Sequence, residues 1–196
     1  MIEQFIEWDK ALLLFLNGLN TPFLDFLMYW ISDKFIWTPF YLFLIFLIII
    51  KYKIRTIDVL VGVAILITLS DITSYYGFKE VFQRLRPCHN ESLQPYIHLV
   101  NNTCGGKYSF ISSHAANTFA LALFLIQIIG RKYSFIPALM IIWASIVSYS
   151  RIYLGVHFPF DVLCGALVGS AFGLSIGKFF NLYYSKFVLK SDKQEY

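Results

Sequence analysis

The sequence is poor in charge. Only 14% of its 196 residues are Asp, Glu, Lys or Arg, against about 25% in a soluble domain. Hydrophobic residues make up 58%, and the mean hydropathy is +0.62. Such a chain cannot clothe a core in polar surface, so lipid is its expected solvent. The net charge of +4 is small and dispersed. Without a dense basic block, nucleic acid is excluded as a partner. Cysteine is scarce too. Cys88 and Cys104 share one polar loop, Cys164 sits in an apolar stretch, and neither a CxxC pair nor zinc spacing occurs. No clear Asp/Glu cluster offers a seat for Mg²⁺. Met1 is followed by Glu3, Glu7 and Asp9 rather than by a basic segment and a cleavage site, so the chain is expected to insert through its own spans.

What the sequence does hold is long apolar runs. Phe35–Ile50 and Tyr133–Ser150 carry no charge, Phe110–Gly130 only the titratable His114, Val59–Phe78 only Asp71, and Val162–Ser185 only Lys178. A membrane helix needs about 20 mostly apolar residues. In lipid each run must be helical, because its backbone groups have no other partners. The reading is an all-α polytopic membrane helix bundle, one domain over residues 1–196, with five firm spans. Residues 1–34 are ambiguous. Ala11–Ser32 is apolar but interrupted by Asn17, Gly18, Asn20, Pro22 and Asp25, which reads as a sixth span or, preferably, a broken interfacial element.

Orientation follows from basic residues in short connections. Lys51, Lys53 and Arg55, then Arg131 and Lys132, then Lys186, Lys190 and Lys193 fall on one side if the five spans alternate. That side is expected to be cytoplasmic, with residues 186–196 as a polar tail. The loop Lys79–Ser109 and the connection Arg151–Phe158 then face outward.

Three polar clusters fall at the outward ends of helices. In the first, Lys79 and Arg86 stand seven residues apart, before Pro87. On a continuing helix they share a face, although a pair of snorkelling cations would look the same. The second is Ser112-Ser113-His114, which suits a helix N-terminus where free N–H groups favour an anion; a plain N-cap is the simpler alternative. The third runs Ser150-Arg151, His157, Asp161, with Pro159 suited to the first turn of the last helix. Asp161 can accept the His157 N–H and fix its tautomer. An acid near the start of a span is costly and marks a site. Together the clusters bring a nucleophile, an acid and anion-stabilising cations to one membrane face.

These residues resemble the type 2 phosphatidic acid phosphatase superfamily. Lys-x6-Arg-Pro, Ser-x-His and Ser-Arg-x5-His-x3-Asp are similar to its three signatures, in order, from Lys79 to Asp161. The middle one departs: Ile111 and Ser113 stand where the family has Pro and Gly. The resemblance implies that His157 attacks phosphorus, Asp161 orients it, and His114 protonates the leaving oxygen and then activates water. It implies that Lys79, Arg86, Ser112, Ser113 and Arg151 bind the phosphoryl oxygens, with no cofactor or divalent metal. The expected partners are the bilayer and a membrane lipid phosphate, foremost polyprenyl pyrophosphate or lipid A phosphate, in a bacterial inner membrane with the site facing the periplasm or cell exterior. A lipid phosphotransferase, or a protein that only binds or carries phospholipid, is the alternative. Cys88 and Cys104, outside and sixteen residues apart, are expected to pair. Gly165, Gly169, Gly173 and Gly177 form a stripe for close helix packing, within the chain or between two copies.

Overall fold

The structure is a computed structural model that describes residues 1–188. Among these it is all helical, and apolar side chains cover its surface. Leu42, Phe46, Ile65, Leu167 and Leu174 are all exposed, the inverse of a soluble protein. The chain is an integral membrane protein. Residues 189–196, most of the expected polar tail, lie outside the described residues.

Local chemistry sets most helix starts. Helix α1 (Ile2–Asn17) stops at a bend of 114° before α2 (Pro22–Ser32). Thr21 caps α2 through the Leu24 amide, and Pro22 supplies a first turn that needs no N–H. Next come α3 (Thr38–Tyr52) and α4 (Thr56–Ile72), joined by a 3₁₀ turn at Lys53–Arg55. A π-helical turn (Thr73–Lys79) and α5 (Glu80–Phe82) continue α4. After a long loop, α6 (Ser113–Ile129), α7 (Ile136–Tyr153) and α8 (Pro159–Tyr183) complete the bundle.

By length and composition, three stretches suffice to cross a bilayer: Thr38–Phe82, Ile136–Tyr153 and Pro159–Lys186. The bent pair α1–α2 would make a fourth, and the apolar α6 is shorter. The 45 residues of Thr38–Phe82 do not run straight. At one end Tyr52 donates to the Ile128 carbonyl, and at the other Asn117 donates to Asp71. Since α6 runs from Asn117 to Ile128, α4 climbs back along it. Meanwhile α3 descends beside α7, as the ring contacts Trp37–Trp143 and Phe43–Phe135 show. Lys51 bonds the Ile128 carbonyl and Lys132 the Ile50 carbonyl. Tyr184 packs edge-to-face against Tyr52. The basic connections and the end of α8 therefore gather at one end of the bundle.

Helix α6 is the axis. Its Ala120, Phe124, Leu125 and Ile128 are fully or almost fully buried, with Leu66 of α4, Met140 of α7 and Phe180 of α8. The glycine stripe of α8 faces it within the chain: Cβ atoms at Gly165, Gly169 and Gly173 would meet the Ser112, Ala116 and Ala120 carbonyls. In lipid, where there is little hydrophobic drive between helices, such close approach supplies the packing energy.

The interrupting polar residues of Ala11–Ser32 have a purpose. Asn17 donates to the carbonyls of His98 (2.9 Å) and Tyr153 (2.6 Å) and accepts from the His98 amide. Asp25 accepts from the Tyr153 hydroxyl at 2.6 Å and lies 2.9 Å from His98 Nε2. The bent pair is thereby docked to the C-terminal end of α7.

Candidate active site

The site assembles where α4, α6, α7 and α8 end on the face opposite the basic connections. The helix carrying Lys79 does not continue to Arg86. It stops at Phe82, and Gln83 turns left-handed (φ 48°). The chain then runs extended beside residues 107–109: the Arg86 amide donates to the Lys107 carbonyl and the Ser109 amide to Arg84. The expected single helical face for Lys79 and Arg86 is thus corrected, because the reversal at Gln83 sends Arg86 inward on a loop. Both cations still reach the site. Lys79 Nζ donates to Ser113 Oγ at 2.7 Å. The buried Arg86 holds the carbonyls of Gly106 and Val156.

His157 is set by a tight turn. Gly155 adopts φ +70°, where a side chain would be strained and would run into Ile97 and the His98 carbonyl. The Val156 and His157 amides then both donate to the Arg151 carbonyl. His157 is 1% exposed. Arg86 Nη1 lies 3.0 Å from its Nε2. A guanidinium only donates, so Nε2 offers its lone pair and the proton sits on Nδ1. Burial, then the cations Arg86, Arg151 and Lys79, push the His157 pKa well below the ordinary 6.5. The ring is held neutral, its free lone pair on Nε2.

Asp161 is buried in the first turn of α8. Its Oδ2 accepts from the Phe158 amide at 2.9 Å and lies 3.6 Å from His157 Nδ1. That gap exceeds a hydrogen bond, so in this state Asp161 faces the imidazole without bonding it. Its Oδ1 accepts from Arg84 at 2.7 Å.

Ser112 is spent locally: its hydroxyl caps α6 at the Ala115 amide and its own amide donates to the Asp161 carbonyl. Ser113 and His114 follow in the first turn. His114 lies within electrostatic reach of His157, Arg151, Lys79 and Arg86. Arg151 donates to Ser32 Oγ, while its buried Nε–H has no partner among the described residues. An unsatisfied guanidinium N–H is a seat for an anion oxygen. Ser113 and His114 also line one end of a cavity of about 520 Å³ that continues past Leu121 and Leu125 between α3, α4 and α6. Cys88 and Cys104 are joined, their Cα atoms 6.0 Å apart.

Sequence reasoning missed Arg84, Asp9 and Ser109. Arg84 belongs to none of the three motifs, and Asp9 entered only as one of the acids that follow Met1. Ser109 is fully buried against Arg84 and Leu85. No spacing rule marks any of the three.

Fold and site define a helical membrane protein with histidines and cations gathered at one bilayer face. The particular family follows from comparison. The PAP2 superfamily matches residues 55–184, and the chain belongs to it. Relatives include the lipid A 4'-phosphatase of Bacteroides thetaiotaomicron, 35% identical over 86% of this chain and 75% of that protein. That of Porphyromonas gingivalis is 36% identical over 88% and 72%, and the undecaprenyl-diphosphatase of Sulfolobus acidocaldarius 33% over 86% and 76%. Among solved structures, Aquifex aeolicus LpxE matches with TM-score 0.63 at 27% identity, over 86% of this chain and 93% of that one. A PAP2-type phosphatidylglycerolphosphate phosphatase from Bacillus subtilis shares the fold at TM-score 0.67 and 20% identity, over 94% and 89%.

Proposed function

We propose that the chain removes phosphate from a membrane lipid through a phosphohistidine on His157, without a metal ion, and that lipid A phosphate is its first substrate. The observation that carries this is the neutral His157, its Nε2 lone pair directed at the Arg86 guanidinium, in a site whose Ser113 and His114 border an apolar cavity. A phosphate displaces the Arg86 contact: the cation moves to a phosphoryl oxygen and frees Nε2. Nε2 attacks phosphorus as the lipid oxygen departs with its electron pair and takes a proton from His114. His114 then draws a proton from water, the water oxygen attacks phosphorus, and the P–N bond returns its pair to Nε2. Lys79, Arg86, Arg151 and Ser113 hold the phosphoryl oxygens, supplying the charge stabilisation that a metal would otherwise give. Ser112 serves the site by capping α6.

The tail of the lipid enters the cavity while the headgroup meets the cations. In this reading α3, α4, α6, α7 and α8 are five crossings, α1–α2 is a bent outer element, and the site faces the periplasm. The two relatives named for lipid A support the substrate; the undecaprenyl-diphosphatase supports a diphosphate as the second choice. The test is phosphate release by purified protein from lipid A, undecaprenyl diphosphate, phosphatidylglycerophosphate and phosphatidate. Release from lipid A, lost in His157→Ala along with acid-labile phosphate on the protein, is expected. Near-normal turnover by folded His157→Ala would reject the mechanism, and release from another lipid alone would reject the substrate.

A further inference from the structure

Arg84 has a place in the structure that the three motifs do not assign. One arm, Nη1, donates to Asp161 Oδ1 at 2.7 Å, and the other, Nη2, to Asp9 Oδ2 at 2.7 Å. Its guanidinium carbon lies 3.7 Å from the centre of the Phe158 ring, so its plane is fixed by cation–π contact as well as by two charge-assisted bonds. Asp9 is 6% exposed, and its other oxygen accepts from the Phe160 amide at 2.9 Å. The result is a closed ring: α1 holds Arg84 and the first turn of α8, and Arg84 holds the carboxylate that faces His157.

We propose that Arg84 and Asp9 are positioning residues for Asp161, so that helix α1 is part of the catalytic apparatus. The family match begins at residue 55, and Asp9 lies outside it. Asp161 has two oxygens and four claimants: the Phe158 amide, Arg84, the Ser109 hydroxyl and the His157 Nδ1–H. With Oδ1 tied by Arg84, only Oδ2 remains for the ring, now at 3.6 Å. Arg84 therefore sets which oxygen faces the histidine and keeps a counter-charge beside the buried acid. Asp9 fixes Arg84 in turn. Its carboxylate balances the second half of the guanidinium charge and prevents that arm from swinging away. A lysine in place of Arg84 reaches one carboxylate at a time, since its ammonium lacks the forked geometry.

This inference rests on His157 acting as the nucleophile, and the experiment separates the two. Wild-type protein and Arg84→Gln, Arg84→Lys and Asp9→Asn are purified in detergent. Single-turnover cleavage of lipid A is followed with enzyme in saturating excess, and vanadate bound per protein counts competent sites. For Arg84→Gln the rate is expected to fall about 10–100-fold, as when a group that orients a reacting histidine is lost, with vanadate stoichiometry unchanged. Arg84→Lys should recover part of the rate, and Asp9→Asn should show a smaller loss. A loss of vanadate stoichiometry with an unchanged rate per competent site would make Arg84 merely structural and overturn the proposal. So would unchanged rates in Arg84→Gln and Asp9→Asn. If Arg84→Gln does not fold, Asp9→Asn and Arg84→Lys decide by the same two readouts. A wild-type protein that cleaves no lipid phosphate would instead count against the proposed function.

Discussion

In the proposed mechanism His157 carries the chemistry, and its surroundings favour the neutral ring. Burial comes first and the cations Arg86, Arg151 and Lys79 second, and both oppose protonation. The folded pKa is therefore depressed below the ordinary 6.5. A group of this kind contributes stability that is full above its unfolded value and is lost as pH falls below about 6.5 toward the folded value. Two outcomes follow. The acid limb of kcat/KM should lie below pH 6.5, since the nucleophile stays deprotonated where a free imidazole would not. The melting temperature in detergent should fall between pH 7 and pH 5, and His157→Gln should fall less steeply, since the other titrating groups are common to both proteins. A wild-type acid limb at or above 6.5, or parallel melting curves, would show the ring to be exposed to water and its neighbours' charges to be screened.

At the scale of elements, the packing of α8 on α6 positions both halves of the site, since α6 begins with Ser113 and His114 and α8 with Asp161. The contact is close enough that a Cβ at Gly169 would land on the Ala116 carbonyl oxygen and carbon, which are backbone and cannot swing aside. Gly169→Ala should therefore destabilise by about 1–3 kcal/mol, read as a lower melting temperature and lower turnover. Gly77→Ala, whose nearest neighbour would be a Thr73 methyl at 3.6 Å, should show neither. Equal behaviour of the two would mean that α6 and α8 separate freely. The glycine stripe was legible in the sequence because a period of four is a property of one helix. So were the start of α6 at Ser112, the turn at Pro159 and the pairing partners Cys88 and Cys104. Other features depend on contacts between distant segments. Gln83 reverses the chain because residues 84–86 pair with 107–109, and nothing near Gln83 announces it. Asp9 meets Arg84 across 75 residues, and a local pattern cannot anticipate such a pair. Asn17 and Asp25 were visible as flaws in an apolar run, but their role in docking α1–α2 appears only with Tyr153 and His98 beside them.

At the scale of the whole molecule, the mechanism depends on which side of the bilayer the site faces. The structure divides the chain into two ends. One carries Lys51–Arg55, Arg131, Lys132 and the end of α8, tied together by Lys51, Tyr52 and Lys132 bonds to neighbouring helices. The other carries His114, His157, the cations Lys79, Arg86 and Arg151, and the disulfide loop. Basic residues in short connections select the cytoplasm, while Lys79, Arg86 and Arg151 are held inside the site and so do not count as free loop charge. A disulfide also belongs to an oxidising compartment. Both arguments support the proposed outward orientation. Two single cysteines test this in a protein lacking the native three: Ser92→Cys, on the exposed loop near the site, and Lys132→Cys, on the exposed turn between α6 and α7. A membrane-impermeant thiol reagent applied to intact cells should label Ser92→Cys and leave Lys132→Cys unmodified until the membrane is opened. The opposite pattern would place the reaction in the cytoplasmic leaflet. It would also remove the oxidising environment that closes Cys88 to Cys104, so in cells the native cysteines would alkylate without prior reduction. The two readouts must therefore move together, and a labelled Ser92→Cys with freely reactive native thiols would contradict the link between topology and disulfide.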